Sequence, residues 1–567
     1  MCRIIQLENH HRMAAIMDIV ERVGAHSERL LAASFTIFVL SSVLVIAISR
    51  LRKNEPQPPR LKETIPFITN TYQYLTDMGA FLDRATEALS DNDIIKFNLG
   101  VKTVYMVTGA KNTAKLFSPP HIMDPNMFHT LLMDKHWGMS REEIKMFEGD
   151  KTGRKRVPIP GTESVHESQR HWYNHHQIYA KYLSSAKYTE ILTNTFYRFF
   201  SERLDVSHTL ETWKTVKLFD FMKTAMAESA IKATFGSVLL ELNPDLIDCY
   251  WEFDEIAGIL VWGLPRFLIP RAYKVRERLH NMTKRQVEVA YKEFDWGGAA
   301  DGSDWDPYWG SRFAREIARW LKDAGFSNRT ASGHTMATLF GLNSNTLPIA
   351  TWILMELIKD PPLLQRVRQE VEQAFTIDEH TGKHRIDNVE KLLSMPLVQS
   401  VYTEALRMHI SFNATREVLQ DIYMGGYRIP KGSLVQSPTQ VAHYNDAVWT
   451  SGGHPATEFW AERHLTYVEK NGENGLVREP QFAINARPTS YFPYGGDHAM
   501  CPGRHFAKRE IITAMAIVVA KFDIELIEWV HPDGSASNRP AQNDKRYAGA
   551  AGMPPDRDMK IRWKRRW

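Results

Sequence analysis

The sequence predicts a mainly α-helical protein with a small β region, attached to a membrane by one N-terminal transmembrane helix. Long stretches with helical periodicity, such as Ser327–Lys359 and Met395–His409, account for most of the predicted fold. Only short segments, among them Lys96–Gly109 and Asp421–Val435, show the alternation and turn residues of paired strands. Leu30–Ser49 contains no charged residue and is long enough to cross a bilayer as a helix.

The apolar segment Leu30–Ser49 divides the chain into regions with different surroundings. Residues 1–29 are polar and lack the early apolar run of a signal peptide. Cationic residues follow the apolar segment at once, and this pattern favours a cytosolic position for the rest of the chain and a non-cytosolic position for residues 1–29. Residues 50–61 are basic and proline-rich, which predicts a stiff hinge before a main domain over 62–567. The alternative for the apolar segment is a buried core helix.

Composition and charge exclude several classes of protein. Apolar residues make up 43% and charged residues 24% of the 567 residues, as in an ordinary globular protein with an ample core. The net charge of +4 gives no reason to expect nucleic acid as a partner. The 3 cysteines are too few and too scattered for a disulfide framework or a zinc site, so a reducing, cytosolic environment fits best.

Cys501 stands between a glycine-containing run and the helical pattern Arg504–Val518. Glycine lets a backbone approach a flat ligand closely. We expect the N-terminus of the helix and the basic neighbours Arg504, Lys508 and Arg509 to favour the ionised thiolate. A thiolate held in this way can be the axial ligand of a haem iron. The alternative is an ordinary free cysteine buried before a helix.

The segment Ser490–Glu510, SYFPYGGDHAMCPGRHFAKRE, resembles the haem-binding loop of the cytochrome P450 family, the haem-thiolate monooxygenases. Cys501, Gly503 and the following Arg504–Ala507 fit the family pattern closely. The resemblance implies the cytochrome P450 fold and a haem b whose iron is axially ligated by Cys501.

The residues before the cysteine depart from the family pattern. Tyr494 stands at the phenylalanine position, Asp497 at the glycine, and Ala499 at the basic residue that usually meets a haem propionate. A gapped alignment would use Phe492 and Gly495 instead. The resemblance therefore implies Tyr494 or Phe492 beside the ligand and leaves the propionate contact open.

The predicted helix Ser327–Lys359 contains a break-forming residue near its middle. Pro348 has no N–H to donate to the carbonyl of Ser344, so the helix should open beside Asn345 and Thr346. Such an opening can hold a water or a dioxygen over a haem; the alternative is a packing kink whose polar groups are satisfied internally. In the family pattern for the distal helix, Thr346 matches the alcohol and Asn345 replaces the acid. This variant is similar to the branch of sterol 7α-hydroxylases and prostacyclin synthase, which includes both monooxygenases and isomerases.

Glu404 and Arg407 lie three residues apart on a predicted helix, where an acid and a base can pair. This spacing alone is weak evidence. The resemblance implies that the pair is buried behind the haem and that Arg463, from the later segment Phe459–His464, joins it as a third member.

Further residues occupy positions at which the family binds haem propionates. Trp172 matches the tryptophan of the family pattern, and His176 stands four residues later at the arginine position. Arg416 and His443 also lie at positions that often contact propionates. The alternatives are ordinary solvated side chains, or metal ligation by His175 and His176.

Two segments are predicted from pattern alone. Pro119–Val165 is irregular and rich in Met, Pro and Gly, which is typical of a long functional loop. Lys560–Trp567 alternates cationic with apolar residues, as in a final strand or a contact with anionic lipid, and we favour the strand.

The resemblance implies an enzyme that inserts one oxygen atom from O2 into a lipophilic small molecule of terpenoid, steroid or polyketide class. Electrons would come from NADPH through NADPH-cytochrome P450 reductase. The implied setting is fungal specialised metabolism, on the endoplasmic reticulum membrane, with one membrane pass and a cytosolic catalytic domain. Thr346 and Asn345 would hold the hydrogen-bond chain that delivers protons. The alternatives are an isomerase or dehydratase that needs no reductase, which Asn345 favours, and a non-catalytic haem sensor or carrier.

Overall fold

The computed structural model describes residues 56–567 except 120, 208–211, 380, 381, 383, 473, 474, 485 and 487. The predicted N-terminal segment 1–29, the anchor 30–49 and the first part of the hinge lie outside the described residues and stay predictions. Within the described part of the chain, no helix is both long and apolar enough to cross a membrane. Pro58–Gly425 and Ile429–Trp567 form one compact unit, which contains all the predicted site residues.

Helices make up most of the described chain, as predicted. They are α1 (Thr69–Thr76), α2 (Met78–Ser90), α3 (Ala110–Leu116), α4 (Asn126–Leu131), α5 (Arg141–Gly149), α6 (His171–Ser184), α7 (Ala186–Ser207), α8 (Leu218–Phe235), α9 (Val238–Glu241), α10 (Leu246–Val261), α11 (Pro270–Glu293), α12 (Arg312–Asp323), α13 (Asn328–Asn343), α14 (Thr346–Lys359), α15 (Pro361–Glu372), α16 (Val389–Ser394), α17 (Pro396–His409), α18 (Thr439–His443), α19 (Asp446–Trp449) and α20 (Arg504–Lys521). Single turns of 3-10 helix lie at Glu167–Gln169, Ala299–Gly302, Asp497–Ala499 and Lys545–Tyr547, and a π-helix spans Leu132–His136.

The strands are short and form a small β region. They are β1 (Ile94–Leu99), β2 (Lys102–Val107), β3 (Met123–Asp124), β4 (Lys214–Lys217), β5 (Trp305–Asp306), β6 (Gly310–Ser311), β7 (Phe375–Ile377), β8 (His384–Ile386), β9 (Ile410–Val418), β10 (Ile422–Met424), β11 (Tyr427–Ile429), β12 (Leu434–Pro438), β13 (Leu465–Gly472), β14 (Gly475–Phe482), β15 (Phe522–Val530), β16 (Ala550–Gly552) and β17 (Asp558–Arg565). The largest sheet has the order β1-β2-β12-β9-β16, with β3 paired to β9. In this sheet β2 and β12 are parallel, and the other pairs are antiparallel.

Two helices, α14 and α20, lie in the centre of the core. All residues of α14 except Glu356 and Lys359 are buried, and α20 is buried continuously from Arg509 to Lys521. Both helices are apolar on nearly every face, and such helices are stable only when other elements surround them. The two helices pack against each other. This contact fixes the C-terminal side of Cys501 relative to the segment around Thr346.

The predicted break in the long helix is confirmed. Helix α13 ends at Asn343, and α14 begins at Thr346. Ser327 caps α13, because its hydroxyl accepts a hydrogen bond from the N–H of Thr330 at 3.4 Å. At the break, the hydroxyl of Thr346 donates to the carbonyl of Leu342. The hydroxyl of Thr346 thus supplies a hydrogen bond where the break interrupts the backbone hydrogen bonds of the helix.

The predictions for two local segments had different outcomes. The C-terminal tail forms β17, which pairs with β15 and β4, so the strand that we favoured is confirmed. The prediction of an irregular loop over Pro119–Val165 is wrong in part, because α4, the π-helix and α5 lie inside it. Helix α5 buries Ile144 and Phe147 three residues apart, and this helical spacing is obscured in a segment rich in Met and Gly.

Candidate active site

The loop that carries Cys501 is held by backbone groups and by helix α6. The N–H of Cys501 donates to the carbonyl of Tyr494 at 3.0 Å. The hydroxyl of Ser184, the last residue of α6, donates to the carbonyl of Pro502 at 2.7 Å. Arg504 Nη1 donates to the carbonyl of Cys501 at 3.0 Å. These bonds fix the cysteine at the start of α20.

The conformation of Asp497 supports the ungapped match to the family loop. Asp497 has a φ of +53°, in the left-handed region that favours glycine and that Asp adopts more readily than most residues. The family pattern has a glycine at this position. Gly496 packs so closely on the ring of Phe117 that an added Cβ would lie 2.8 Å from it. Gly495, which the gapped match would use, has a φ of +75°, so the backbone suits both matches and the choice between Tyr494 and Phe492 stays open.

The side chain of Cys501 is accessible although protein surrounds it. It is exposed to a solvent-sized probe. Desolvation by surrounding protein nevertheless raises the pKa of its thiol, against the backbone N–H of Gly503 and the charge of Arg504.

The expectation that basic neighbours lower the pKa of Cys501 is wrong for two of the three. Lys508 Nζ donates to Gln399 Oε1 at 3.0 Å, and Arg509 pairs with Glu390. Both side chains therefore point at neighbouring helices and not at the thiol. Burial therefore acts on the pKa of Cys501 more strongly than the backbone N–H groups of Gly503 and Arg504 and the charge of Arg504.

Glu404, Arg407 and Arg463 meet in one buried network. Glu404 Oε1 accepts from Arg407 Nη2 at 2.8 Å and from Arg463 Nε at 2.9 Å. Burial alone would raise the pKa of Glu404, but hydrogen bonds from Arg407 and His464 outweigh burial and hold it well below its ordinary value. Arg407 Nη1 also donates to the carbonyl of His443 at 2.7 Å. The network ties α17 to the segments that precede the cysteine loop.

A second contact joins α17 to the cysteine loop. The hydroxyls of Tyr402 and Tyr494 share a hydrogen bond. Burial raises the pKa of both phenols well above the ordinary range, so both are neutral. The predicted residue Tyr494 thus connects the loop around Cys501 with the helix that carries Glu404.

Two of the predicted propionate contacts, Trp172 and His443, have protein partners in the structure. The indole N–H of Trp172 donates to the carbonyl of Phe147 at 2.8 Å. His443 Nδ1 lies 3.2 Å from the carbonyl of Arg407, and its Nε2 accepts from the N–H of Phe492 at 3.3 Å. His176 is half-buried on α6. The roles of these three side chains towards haem stay predictions.

The alternative of a metal site at His175 and His176 finds no support. His175 is buried and packs on the ring of Tyr179 with centroids 4.4 Å apart. In the part of the chain that the structure describes, no group of three or more His, Cys, Asp or Glu residues could hold a metal ion.

The guanidinium groups of buried Arg416 and half-buried Arg154 lie near each other, and the charge of the Asp124 carboxylate acts on both. Arg416 is 6% exposed, and its Nε has no hydrogen-bond partner. Arg154 stacks on the ring of Trp172 at 4.7 Å and donates to Asn126 Oδ1. Burial lowers the pKa of each arginine to about 10, and the charge of Arg416 contributes to the shift at Arg154. No ion pair of either arginine is found among the described residues.

Sequence reasoning identified Arg416 and missed Arg154. Arg154 belongs to a basic run, Gly153-Arg154-Lys155-Arg156, in a segment that we predicted to be a loop. The cluster of cations in this run could have indicated Arg154 as a candidate anion-binding residue. Its neighbours Lys155 and Arg156 are exposed, so the fold, and not the sequence, selects which of these cations turns inward.

The distal residues Asn345 and Thr346 lie at the helix break. Asn345 Oδ1 accepts from the N–H of Gly552 in β16 at 2.9 Å. Thr346 is 3% exposed, and its hydroxyl donates to the carbonyl of Leu342. The amide oxygen of Asn345 is therefore committed to the backbone, and Thr346 keeps its hydroxyl oxygen as an acceptor.

Residues 121–539 match the family model described as Cytochrome P450. The chain belongs to the cytochrome P450 family. It is 44% identical over 525 residues to the cytochrome P450 monooxygenase calL of Penicillium decumbens, covering 92% of this chain and 96% of the relative. It is 26% identical over 542 residues to the cytochrome P450 monooxygenase fsoE of Humicola fuscoatra, covering 90% and 88%.

More distant similarities agree with this family. The chain is 24% identical over 375 residues to cholesterol 7-alpha-monooxygenase of Cricetulus griseus, covering 62% of this chain and 67% of the relative. The solved structure of retinoic acid bound cyanobacterial CYP120A1 has the same fold, with a TM-score of 0.63, 16% identity, and coverage of 90% of this chain and 100% of that one. The protein is a cytochrome P450 monooxygenase, a family whose haem iron is ligated by a cysteine.

The residues of this cytochrome P450 fit a haem. Cys501 has an accessible side chain that could bind an iron. Buried Arg416 and half-buried Arg154 supply two positive charges that form no ion pair among the described residues, although Asp124 lies near both, and two such charges suit the two propionates of a haem. The family's basic residue is Ala499 here, and these arginines are available in its place.

Proposed function

We propose that this cytochrome P450 binds haem b through Cys501 and inserts one oxygen atom from O2 into a lipophilic small molecule of terpenoid, steroid or polyketide class. The observation that carries this proposal is the position of Cys501, whose accessible side chain precedes α20 in the loop that matches the family pattern. Cytochrome P450 monooxygenases from Penicillium and Humicola as relatives support a role in fungal specialised metabolism. The similarity to a cholesterol 7-alpha-monooxygenase supports a steroid-like, lipophilic substrate.

Several side chains of the protein would bind or position the haem. The sulfur of Cys501 binds the iron, and Arg416 and Arg154 bind the propionates, with Trp172, His176 and His443 as further predicted neighbours. Tyr494 positions the cysteine loop through its carbonyl, which accepts from the N–H of Cys501 at 3.0 Å. When bound, the haem supplies the redox-active iron at which dioxygen is reduced and cleaved.

Thr346 would move a proton at the oxygen site. Its hydroxyl is buried at the break between α13 and α14, where it can accept a proton on one side and donate on the other. Asn345 would position this segment through its bond to Gly552. In this proposal Thr346 carries the proton, and Asn345 holds Thr346 in position.

Electrons would come from NADPH through NADPH-cytochrome P450 reductase, and the enzyme would sit on the endoplasmic reticulum membrane. The apolar segment Leu30–Ser49 and the cations after it support a single membrane pass with the catalytic domain in the cytosol. A membrane position also suits a substrate that partitions into lipid.

One observation favours a second candidate, an isomerase or dehydratase of the same fold. Asn345 has no ionisable proton, and its oxygen is bound by the backbone of Gly552. An isomerase that acts on a peroxide or an already oxidised substrate needs no proton delivery from an acid at this position. Turnover that is independent of NADPH and reductase would identify this second function. Incorporation of isotopically labelled dioxygen into the product, dependent on NADPH, would identify the monooxygenase.

The first experiment is the absorption spectrum of the dithionite-reduced protein with carbon monoxide. An intact thiolate at Cys501 gives the red-shifted Soret band for which the family is named. Cys501→Ala should bind haem weakly or not at all and should lose this band and all turnover. A variant that keeps the band or turns over normally would contradict the assignment of Cys501. The matched control is Cys249→Ala, since Cys249 is a buried free cysteine of α10.

A further inference from the structure

Helix α10 carries two buried polar groups that the proposed function does not use. Asp254 is 7% exposed, and Tyr250 is 1% exposed. The residues lie four apart on one face of the helix, yet Asp254 Oδ1 and the hydroxyl of Tyr250 are both buried without a hydrogen-bond partner. Buried polar atoms without partners are rare in folded proteins, so a ligand that is not part of the chain can supply the missing bonds.

This pair lies close to the break between α13 and α14. The ring of Phe253, next to Asp254, contacts the ring of Phe340 in α13, with centroids 6.1 Å apart. Ser344 stands at the break, and its hydroxyl lies close enough to Asp254 to oppose the effect of burial on the pKa of the carboxyl group. Ser344 is followed directly by Asn345. The pair is therefore near the segment that the proposed function assigns to the oxygen site.

A second segment beside Asn345 also reaches Asp254. Tyr547 ends the 3-10 turn Lys545–Tyr547, shortly before the strand β16 whose Gly552 N–H donates to Asn345 Oδ1 at 2.9 Å. The side chain of Tyr547 is another of the groups that oppose the effect of burial on the pKa of Asp254. Side chains from the helix break and from the turn before β16 thus face the carboxyl group that α10 carries.

Few charged groups act on Asp254. Burial raises its pKa to about 7, while the charge of Lys223 lowers the pKa and the charge of Glu255 raises it. Lys223 Nζ lies over the ring of Trp251, 4.9 Å from the centroid, and no ion pair of Asp254 is found among the described residues. Burial raises the pKa of Tyr250 well above its ordinary value. Above neutral pH, Asp254 is therefore an acceptor of hydrogen bonds, and the neutral phenol of Tyr250 is a donor.

A single hydroxyl group matches this pair of residues. It has one hydrogen to donate to Asp254 and lone pairs to accept from Tyr250. An ammonium group has no lone pair, and an ether or ketone oxygen has no hydrogen, so each of these would satisfy only one of the two residues.

We propose that Asp254 and Tyr250 bind a hydroxyl group of the substrate, which makes a lipophilic alcohol the substrate class of this enzyme. The substrate hydroxyl donates to Asp254 Oδ1 and accepts from the hydroxyl of Tyr250. These two bonds hold one end of an otherwise apolar molecule near the helix break, so they determine which molecules are bound and how they are oriented. This inference rests on the proposed function.

The test compares two probes with the same apolar ring, cyclododecanol and cyclododecyl methyl ether, of which only the alcohol can donate. Isothermal titration calorimetry with the haem-loaded protein should show that the alcohol binds about ten-fold more tightly or better, because its hydrogen bond is to a charged group. Asp254→Leu should abolish this preference, and Asp254→Asn, which keeps the shape and loses the charge, should reduce it. Tyr250→Phe should weaken the binding of both probes, because each has an oxygen that accepts from the phenol.

The matched control is Glu255→Gln, which removes an exposed carboxylate next to Asp254 on the same helix and should keep the preference for the alcohol. Equal affinities of the two probes in wild type would overturn the proposal and would leave water as the partner of the pair. A preference for the alcohol that Asp254→Leu retains would overturn it as well.

The pH dependence gives a readout that a structural role of Asp254 would not produce. The affinity for cyclododecanol should fall as the pH is lowered through the pKa of about 7, because protonation removes the charge that accepts the bond. The affinity for the ether should not follow this titration, and identical pH profiles of the two probes would contradict the proposal. The Soret band of the reduced carbon monoxide complex reports separately on the thiolate of Cys501. A failed proposed function therefore changes the Soret band, and a failed substrate contact changes only the probe affinities.

Discussion

At the scale of single residues, the functional side chains differ in how far the sequence could reveal them. Cys501, Glu404 and Arg407 could be predicted, because they stand in short motifs that resemble those of the family and the spacing of the pair lets it meet on one helix face. Arg154 could not, because only the folded loop turns it inward beside Trp172, while its neighbours stay exposed.

Arg154→Leu should weaken haem binding while Cys501 stays intact. A charge-assisted hydrogen bond is worth about 1.5–3 kcal/mol, which corresponds to about a ten- to hundred-fold loss of affinity. The measurement is the haem content of purified protein after dilution and gel filtration, together with the rate of haem transfer to apomyoglobin.

The control for this prediction is Arg156→Leu, which removes an exposed cation from the same basic run. Arg154→Lys keeps the charge and should recover part of the retention. Equal haem retention in Arg154→Leu and Arg156→Leu would show that Arg154 does not contact a propionate.

At the scale of elements, the sequence revealed a helix when its pattern was long and its ends carried clear signals. The break before Pro348 was predicted, because it depends on backbone chemistry that is local to the sequence. The ends of shorter elements depend on distant partners. Val216 lies in β4, where it pairs with Ile561 of β17, although α8 begins only two residues later at Leu218.

Glu404→Gln should destabilise the packing of α17 against the segments before the cysteine loop. It leaves Arg407 and Arg463 buried without their carboxylate, and breaking a buried pair in this way costs about 3–5 kcal/mol. The pKa of Glu404 is held below its ordinary value, so its stabilisation is present above the unfolded pKa of about 4.3 and lost as the pH falls towards the folded pKa.

Thermal unfolding of the haem-loaded protein measures this effect. Glu462→Gln is the control, because Glu462 pairs with Arg366 at the surface, where an ion pair is worth less than about 1 kcal/mol. A melting temperature of Glu404→Gln as high as that of Glu462→Gln would contradict a structural role for the buried network.

At the scale of the whole molecule, the family and the mainly helical fold follow from a few motifs spread over the second half of the chain. The sheet order does not, because β2 pairs in parallel with β12, more than three hundred residues later. No periodicity in either strand specifies such a partner. The sequence does not specify the substrate either, because residues of many separate elements shape the space above a haem.

The membrane anchor is a prediction at this scale, and truncation tests it. Removal of residues 1–49 should move the protein from the membrane fraction to the soluble fraction, because Leu30–Ser49 supplies the apolar length that a bilayer-spanning helix needs. The reduced carbon monoxide spectrum of the truncated protein should be unchanged. Removal of residues 1–29 alone, as the control, should leave the protein in the membrane fraction. The contrary outcome is a truncated protein that still sediments with membranes and is released by detergent. That outcome would show that exposed apolar side chains of the catalytic domain, such as Phe267 at 79% exposure, attach the protein.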